Sequence, residues 1–167
     1  VVVWTLEDDT GSFVQGSNYS TLLGWDSPST ISVDPSANSP AVLINDAGNS
    51  IAVWVAFDGN TDVVQYAEKT GYLGSWSSPN TLSLTGFYAE NPRIYVNSLG
   101  EAISIWEQST DNDGQHIQAA RYHILTGFTG PHVVSGTNTD AFDPFVAINS
   151  GGNALATWSF YDGNNYQ

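Results

Sequence analysis

Apolar and polar residues alternate along this chain in short blocks rather than long runs. SIAVWVAF (Ser50–Phe57), AISIWEQ (Ala102–Gln108) and ALATWSF (Ala154–Phe160) are separated by clusters rich in Asp, Asn, Gly and Ser. Blocks of this length suit strands, and no apolar stripe at helical spacing runs far enough to predict a helix. The blocks recur in register. Trp4, Trp54, Trp106 and Trp158 stand 50, 52 and 52 residues apart, and Pro40, Pro92 and Pro144 are 52 apart. Asn45, Asn97 and Asn149 keep that interval, as do Gly48, Gly100 and Gly152; Gln15, Gln65 and Gln118 follow closely. Independent markers in one register predict a repeat of about fifty residues.

Each unit resolves into four predicted strands. The first is led by proline: PAVLIN (Pro40–Asn45), PRIYVN (Pro92–Asn97) and PFVAIN (Pro144–Asn149). A turn of Asn, Gly and small residues follows, with the glycine suited to a positive φ. The second strand carries the tryptophan and is apolar on both faces, as in a sheet covered on both sides. An Asp-Asn-Gly turn leads to the third, VVQYA (Val63–Ala67) or HIQAA (His116–Ala120). The fourth is WSSPNTLS, whose proline suits an outer edge.

The predicted fold class is therefore all-β, built of β-propeller blades of four antiparallel strands, about three per chain. The units run approximately over residues 1–37, 38–89, 90–141 and 142–167. A β-sandwich with coincidental spacing is the alternative. The chain enters at a second strand and leaves after another, giving 13 predicted strands. That predicts an incomplete ring, completed by other chains through self-association or by further sequence.

The stretch GSWSSPNTL (Gly74–Leu82), with a weaker copy at GWDSPSTIS (Gly24–Ser32), resembles the tail of the Asp-box (BNR) repeat of sialidase-like propellers. The box's aspartate is missing here, and the third copy replaces tryptophan with Phe128. The resemblance implies that the motif is a folding element, with Trp25, Trp76 and Phe128 packing on outer strands; sugar stacking is the alternative role. Sialidases of that superfamily grip the sialate carboxylate with three arginines. This chain has only Arg93 and Arg121, plus Lys69, so the activity is not expected.

Charge narrows the partners. Three basic residues stand against 17 acidic ones, a net charge of −14. No basic cluster provides a footprint for nucleic acid, and membrane insertion is not expected of such short apolar runs. Calcium, cationic partners and neutral polar ligands remain open. With neither cysteine nor methionine, and no signal-like segment before Val1, a processed protein or a piece of a longer one is expected. In a propeller, the loops between blades and the turns between second and third strands share one face. All the acids except Asp26, Asp46, Glu68 and Glu101 then fall on that face.

Positions that differ between repeats are the better functional candidates. Ala41, Arg93 and Phe145 are equivalent, as are Leu43, Tyr95 and Ala147. The loop GFYAEN (Gly86–Asn91) places Phe87 and Tyr88 beside Glu90. Aromatics next to carboxylates suit neutral sugars, which stack an apolar face and donate hydroxyls. The candidate ligand residues are Phe87, Tyr88, Glu90, Arg93, Tyr95 and Asp143; filling gaps between blades is the competing role for the aromatics. Asp111 and Asp113 are candidate calcium ligands, against a plain turn, since Ala120 stands where an EF-hand needs Glu. His116, His123 and His132 have no zinc-like spacing. The leading expectation is a non-enzymatic, lectin-like or adhesion propeller, secreted or on the cell surface, recognising neutral glycans or a protein. A fragment of a glycoside hydrolase propeller and a bare scaffold are the alternatives.

Overall fold

The computed structural model describes residues 1–110, 114–136 and 140–166, and among them every regular element is a β-strand. The first blade comprises β1 (Val2–Asp8), β2 (Gly11–Ser17), the small hairpin β3 (Tyr19–Ser20) and β4 (Gly24–Trp25), and β5 (Ser29–Thr30). The second has β6 (Asn38–Ile44), β7 (Ser50–Phe57), β8 (Asp62–Lys69) and β9 (Asn80–Thr81). The third has β10 (Ala89–Val96), β11 (Ala102–Thr110), β12 (Gly114–His123), β13 (Gly127–Phe128) and β14 (His132–Val133). The fourth contributes β15 (Asp140–Ile148) and β16 (Ala154–Tyr161). All pairings between these strands are antiparallel; most join neighbours in sequence, while β2 pairs with β5 and β12 with both β13 and β14.

The repeat holds at the level of single backbone pairs. Trp4, Trp54 and Trp106 face Gln15, Gln65 and Gln118 across the second and third strands. Those glutamines face Thr30, Thr81 and Val133 of the outer strand. The turn before each tryptophan strand is likewise repeated. Asn45 Oδ1 accepts the amides of Ala47 and Asn49, Asn97 Oδ1 those of Leu99 and Glu101, and Asn149 Oδ1 those of Gly151 and Asn153, at 2.9–3.0 Å. Gly48, Gly100 and Gly152 take the left-handed conformation (φ 80°, 84° and 78°) that reverses the chain.

The inner strands begin earlier than the prolines that announce them. β6, β10 and β15 start at Asn38, Ala89 and Asp140, and each carries a bulge before its proline. Ser39, Asn91 and Asp143 sit at φ 51°, 51° and 52°. Each bulge lies opposite the tryptophan of its own blade, between the paired positions Asn38–Val55 and Ala41–Val53 in the second unit. Proline fits there because the extra residue needs no ladder amide. The Pro and Trp markers are thus two sides of one device.

The stretch ending in Leu82-Ser83 closes the blade. Ser32, Ser83 and Ser135 Oγ accept the amides of Val14, Val64 and Ile117 at 3.0, 2.9 and 3.0 Å. One residue earlier, the amides of Ile31, Leu82 and Val134 donate to the carbonyls of the same three residues, each at 2.8 Å. The outer strand itself shrinks to two residues, since Pro28, Pro79 and Pro131 interrupt the ladder before it. The serine side chain supplies the bond that a longer strand would have made.

Successive blades stack face to face. Trp54 is wholly buried against the first blade among Val14, Ile31, Ala37 and Ala52; Trp106 is wholly buried against the second among Val53, Val64 and Leu82. Trp158 packs against the third. Trp76 joins the first–second core, and Phe128 sits between Tyr66 and Tyr122 with ring centroids 4.8 and 5.1 Å away. Trp25, in the first blade, is 56% exposed and touches Tyr19 edge-on. Trp76 and Phe128 thus pack toward the blade before their own, whereas Trp25 does not.

Replacing Ser83 by Ala leaves the wholly buried Val64 amide without its acceptor. We expect a loss of about 1–3 kcal/mol in urea unfolding, with little change in the folded strand content by circular dichroism. An equal stability for Ser83→Ala and wild type would remove the serine from the closure of the blade.

Candidate functional site

The bulges of the third and fourth blades converge on Glu107. This residue follows Trp106 on β11, faces the fourth blade, and is 2% exposed. Equivalent positions hold Thr5, Val55 and Ser159. Its Oε1 accepts Asn91 Nδ2 and the Asp143 amide, both at 2.9 Å, and both donors come from bulge residues. Its Oε2 accepts Gln115 Nε2 at 2.7 Å, and the same amide group donates to Glu90 Oε1 at 2.7 Å. Glu90 pairs directly with Glu107 across β10 and β11. The left-handed conformation at Asn91 and Asp143 is unfavourable for such residues, and here it turns an amide and a carboxamide onto one carboxylate.

Burial pushes the Glu107 carboxyl above the usual carboxylate range. The hydrogen bonds from Asn91 and Asp143 oppose that shift, and the nearby charges of Glu90 and Asp143 add to it. The residue opens onto a cleft of ≈ 400 Å³ lined by Asn91, Phe142, Asp143, Ser159 and Tyr166. Tyr166 is 74% exposed, with its ring 6.4 Å from Phe142 and 5.2 Å from Tyr161. No basic side chain lines this cleft.

Of the residues singled out from sequence, Glu90 and Asp143 flank Glu107. Phe87 and Tyr88 lie on the loop that leads into β10, and Tyr88 is 61% exposed. That loop is pinned from inside: Gln108 Nε2 donates to the Phe87 and Tyr88 carbonyls at 3.0 and 3.1 Å, while its Oε1 accepts Trp106 Nε1 at 3.2 Å. The second blade has Ala56 in place of Gln108, and the buried Trp54 Nε1 has no partner. Arg93 is exposed on β10 and donates to the Pro92 carbonyl at 3.2 Å. Tyr95 packs into the third–fourth core against Phe145, away from the cleft. Asp111 and Asp113 lie outside the described residues. Among the described residues no group of three His, Asp or Glu side chains is arranged to hold a metal ion.

The other acids divide by role. Asp58 Oδ1 accepts the Asn60 and Thr61 amides at 2.9 Å, and these bonds hold its carboxyl below the usual range. Asp8 is lowered by the hydroxyl and amide of Thr10 in the same way. Asp162 accepts the Asn164 and Asn165 amides at 2.8 Å. These three shape hairpin turns. On the opposite ends of the blades, Arg121 pairs with Glu101 at 2.5 Å, and that bond, with Asn97, lowers the Glu101 carboxyl. Glu107 itself was not singled out by spacing or composition. Its signal was the exchange of Thr5, Val55 and Ser159 for Glu at a position that should be covered.

No protein-family model matches the chain, and no curated protein matches it either. Solved structures do resemble it. A protein of unknown function from Dyadobacter fermentans DSM 18053 superposes with a TM-score of 0.60 at 12% identity, over 93% of this chain and 47% of its own. The Hadza microbial sialidase Hz136 gives 0.55 at 14%, over 96% and 40%. An endo-1,4-beta-xylanase from Bacteroides thetaiotaomicron VPI-5482 gives 0.51 at 14%, over 96% and 61%. This chain thus spans less than two thirds of each of them. At such identities the likeness establishes the fold, an all-β arrangement of propeller-type blades.

Because Glu107 titrates higher folded than unfolded, the folded state holds the extra proton between the two pKa values. Its contribution to stability is greatest below the ordinary carboxylate range and falls as pH rises through the folded value. Urea unfolding from pH 4 to pH 7 is expected to show wild type losing stability relative to Glu107→Gln. A pH-independent difference between the two would contradict the shift.

Proposed function

We propose that this chain is a carbohydrate-binding propeller module that takes a neutral glycan in the Glu107 cleft. The observation that carries the reading is Glu107 itself, a buried carboxylate fixed by three donors from two blades. A carboxylate held this firmly accepts hydroxyl protons in a fixed direction, and such charge-assisted bonds are about twice as strong as neutral ones. The exposed ring of Tyr166, with Phe142 behind it, offers a surface for the apolar face of a sugar. Glu107 and Asp143, with Glu90 next to them and no basic side chain among the described residues of the lining, disfavour an anionic sugar. Folds like this one include a xylanase and a sialidase, whose names denote carbohydrate substrates, and this supports the class of ligand. A glycan ligand fits a secreted or surface-exposed protein.

Isothermal titration with neutral xylo-, arabino- and gluco-oligosaccharides tests the reading. Tyr166→Ala is expected to weaken binding roughly three- to tenfold, the worth of one aromatic contact. Glu107→Gln is expected to weaken it more, with the fold intact by circular dichroism. Binding that both variants leave untouched would place the ligand elsewhere.

A second reading rests on the closeness of two carboxylates. Glu90 Oε1 and Glu107 Oε2 each lie 2.7 Å from the same amide nitrogen, so they are no more than about 5.4 Å apart. Retaining glycosidases likewise bring two carboxyl groups close together, with the acid's pKa raised. Release of nitrophenol from aryl glycosides, lost in both Glu90→Gln and Glu107→Gln, would mark an enzyme. Binding without turnover would mark a lectin-like module.

A further inference from the structure

The junction between the second and third blades contains a cavity. It measures ≈ 230 Å³ and lies at the ends of the blades opposite the Glu107 cleft. Leu43 and Ile51 of the second blade and Ile94, Val96 and Ile124 of the third supply apolar walls. The repeat explains its presence. Leu43, Tyr95 and Ala147 occupy one position of successive inner strands. Between the third and fourth blades the Tyr95 ring fills the space, 4.9 Å from Phe145. Leucine at the previous junction is too short to do so.

Among the described polar residues lining this cavity, Glu68 is the one carboxylate. Glu68 lines it, with Oε2 accepting Tyr122 Oη at 2.9 Å, a bond that fixes the carboxylate against the third blade. Asn45 Oδ1 is committed to its own turn, and its Nδ2 faces Gly100, where a Cβ would stand 2.8 Å away. Of the three cations, Lys69 alone belongs to the lining. Arg121 is paired with Glu101. Lys69 follows Glu68 on the strand, so its side chain takes the side of Ala67, toward the first blade, where its charge acts on Asp26.

We propose that this cavity is a second binding site, for a small arylalkyl amine. The ring lies between the blades and the ammonium meets Glu68. A cavity of ~150 Å³ accepts benzene. The larger volume here leaves room for a few further atoms beyond a six-membered ring, as in phenethylamine. The Glu68 carboxylate and a net charge of −14 select a cation over an anion.

The test is a two-dimensional NMR titration of the ¹⁵N-labelled chain with phenethylamine and, separately, with phenylacetate. Saturable shifts are expected at Ile51, Ile94 and Val96 with the amine and none with the acid. Two variants fill the cavity, Leu43→Tyr in the manner of the next junction and Ala102→Val from the third blade; whichever keeps a dispersed spectrum should bind at least tenfold more weakly. Glu68→Gln should do the same without filling the space. No saturable shift with phenethylamine, equal binding of phenylacetate, or full binding in a folded filling variant would overturn the proposal and leave the cavity a packing gap.

Discussion

A sheet that is apolar on both faces is stable only when both faces are covered, and every other feature of this chain follows from that requirement. β7 is buried along nearly its whole length, with one face on the first blade and the other on the third. Trp54 and Trp106 make the deepest of these contacts. Burying 150–250 Å² of such a ring is worth about 4–6 kcal/mol at ~25 cal/mol per Å². The left-handed residue in the bulge opposite costs about 1–3 kcal/mol. The tryptophan wins, so the bulge persists in every blade that has an inner strand.

The candidate site sits where the repeat relaxes that requirement. Val55 in the second blade and Glu107 in the third occupy equivalent positions, one covered by apolar contact and the other by hydrogen bonds. The bulges that accommodate the tryptophans also supply the donors for Glu107. Framework and site therefore share backbone, and the side chains alone distinguish a junction that packs from one that presents chemistry. Gln108 shows the same economy: it satisfies a buried indole and holds the loop bearing Tyr88 with one amide.

The blades were legible because their markers are local. Tryptophan, proline and the Asn-Gly turn each enforce a backbone state within a few residues, and the interval between copies exposes the repeat. The bulges were less legible, because Ser39, Asn91 and Asp143 have no residue type in common; only the proline after each announces them. Glu90 and Asp143 could be named as acids near a loop, but their meeting at Glu107 depends on two blades touching. Tyr95 shows the limit from the other side. An aromatic that breaks the repeat suggested a ligand, while in the fold it fills a gap that leucine leaves open one junction earlier.

Within each blade, the long strands follow one another in sequence, joined by short turns. The chain therefore loses little entropy in bringing each strand to its neighbour, since loop-closure cost grows with the length of chain enclosed. Coupling between blades comes instead from the tryptophan faces. Each interface couples only the two blades it joins, so opening one leaves the far face of either blade covered. Amide exchange would then be slowest in β7, which has a blade on each face.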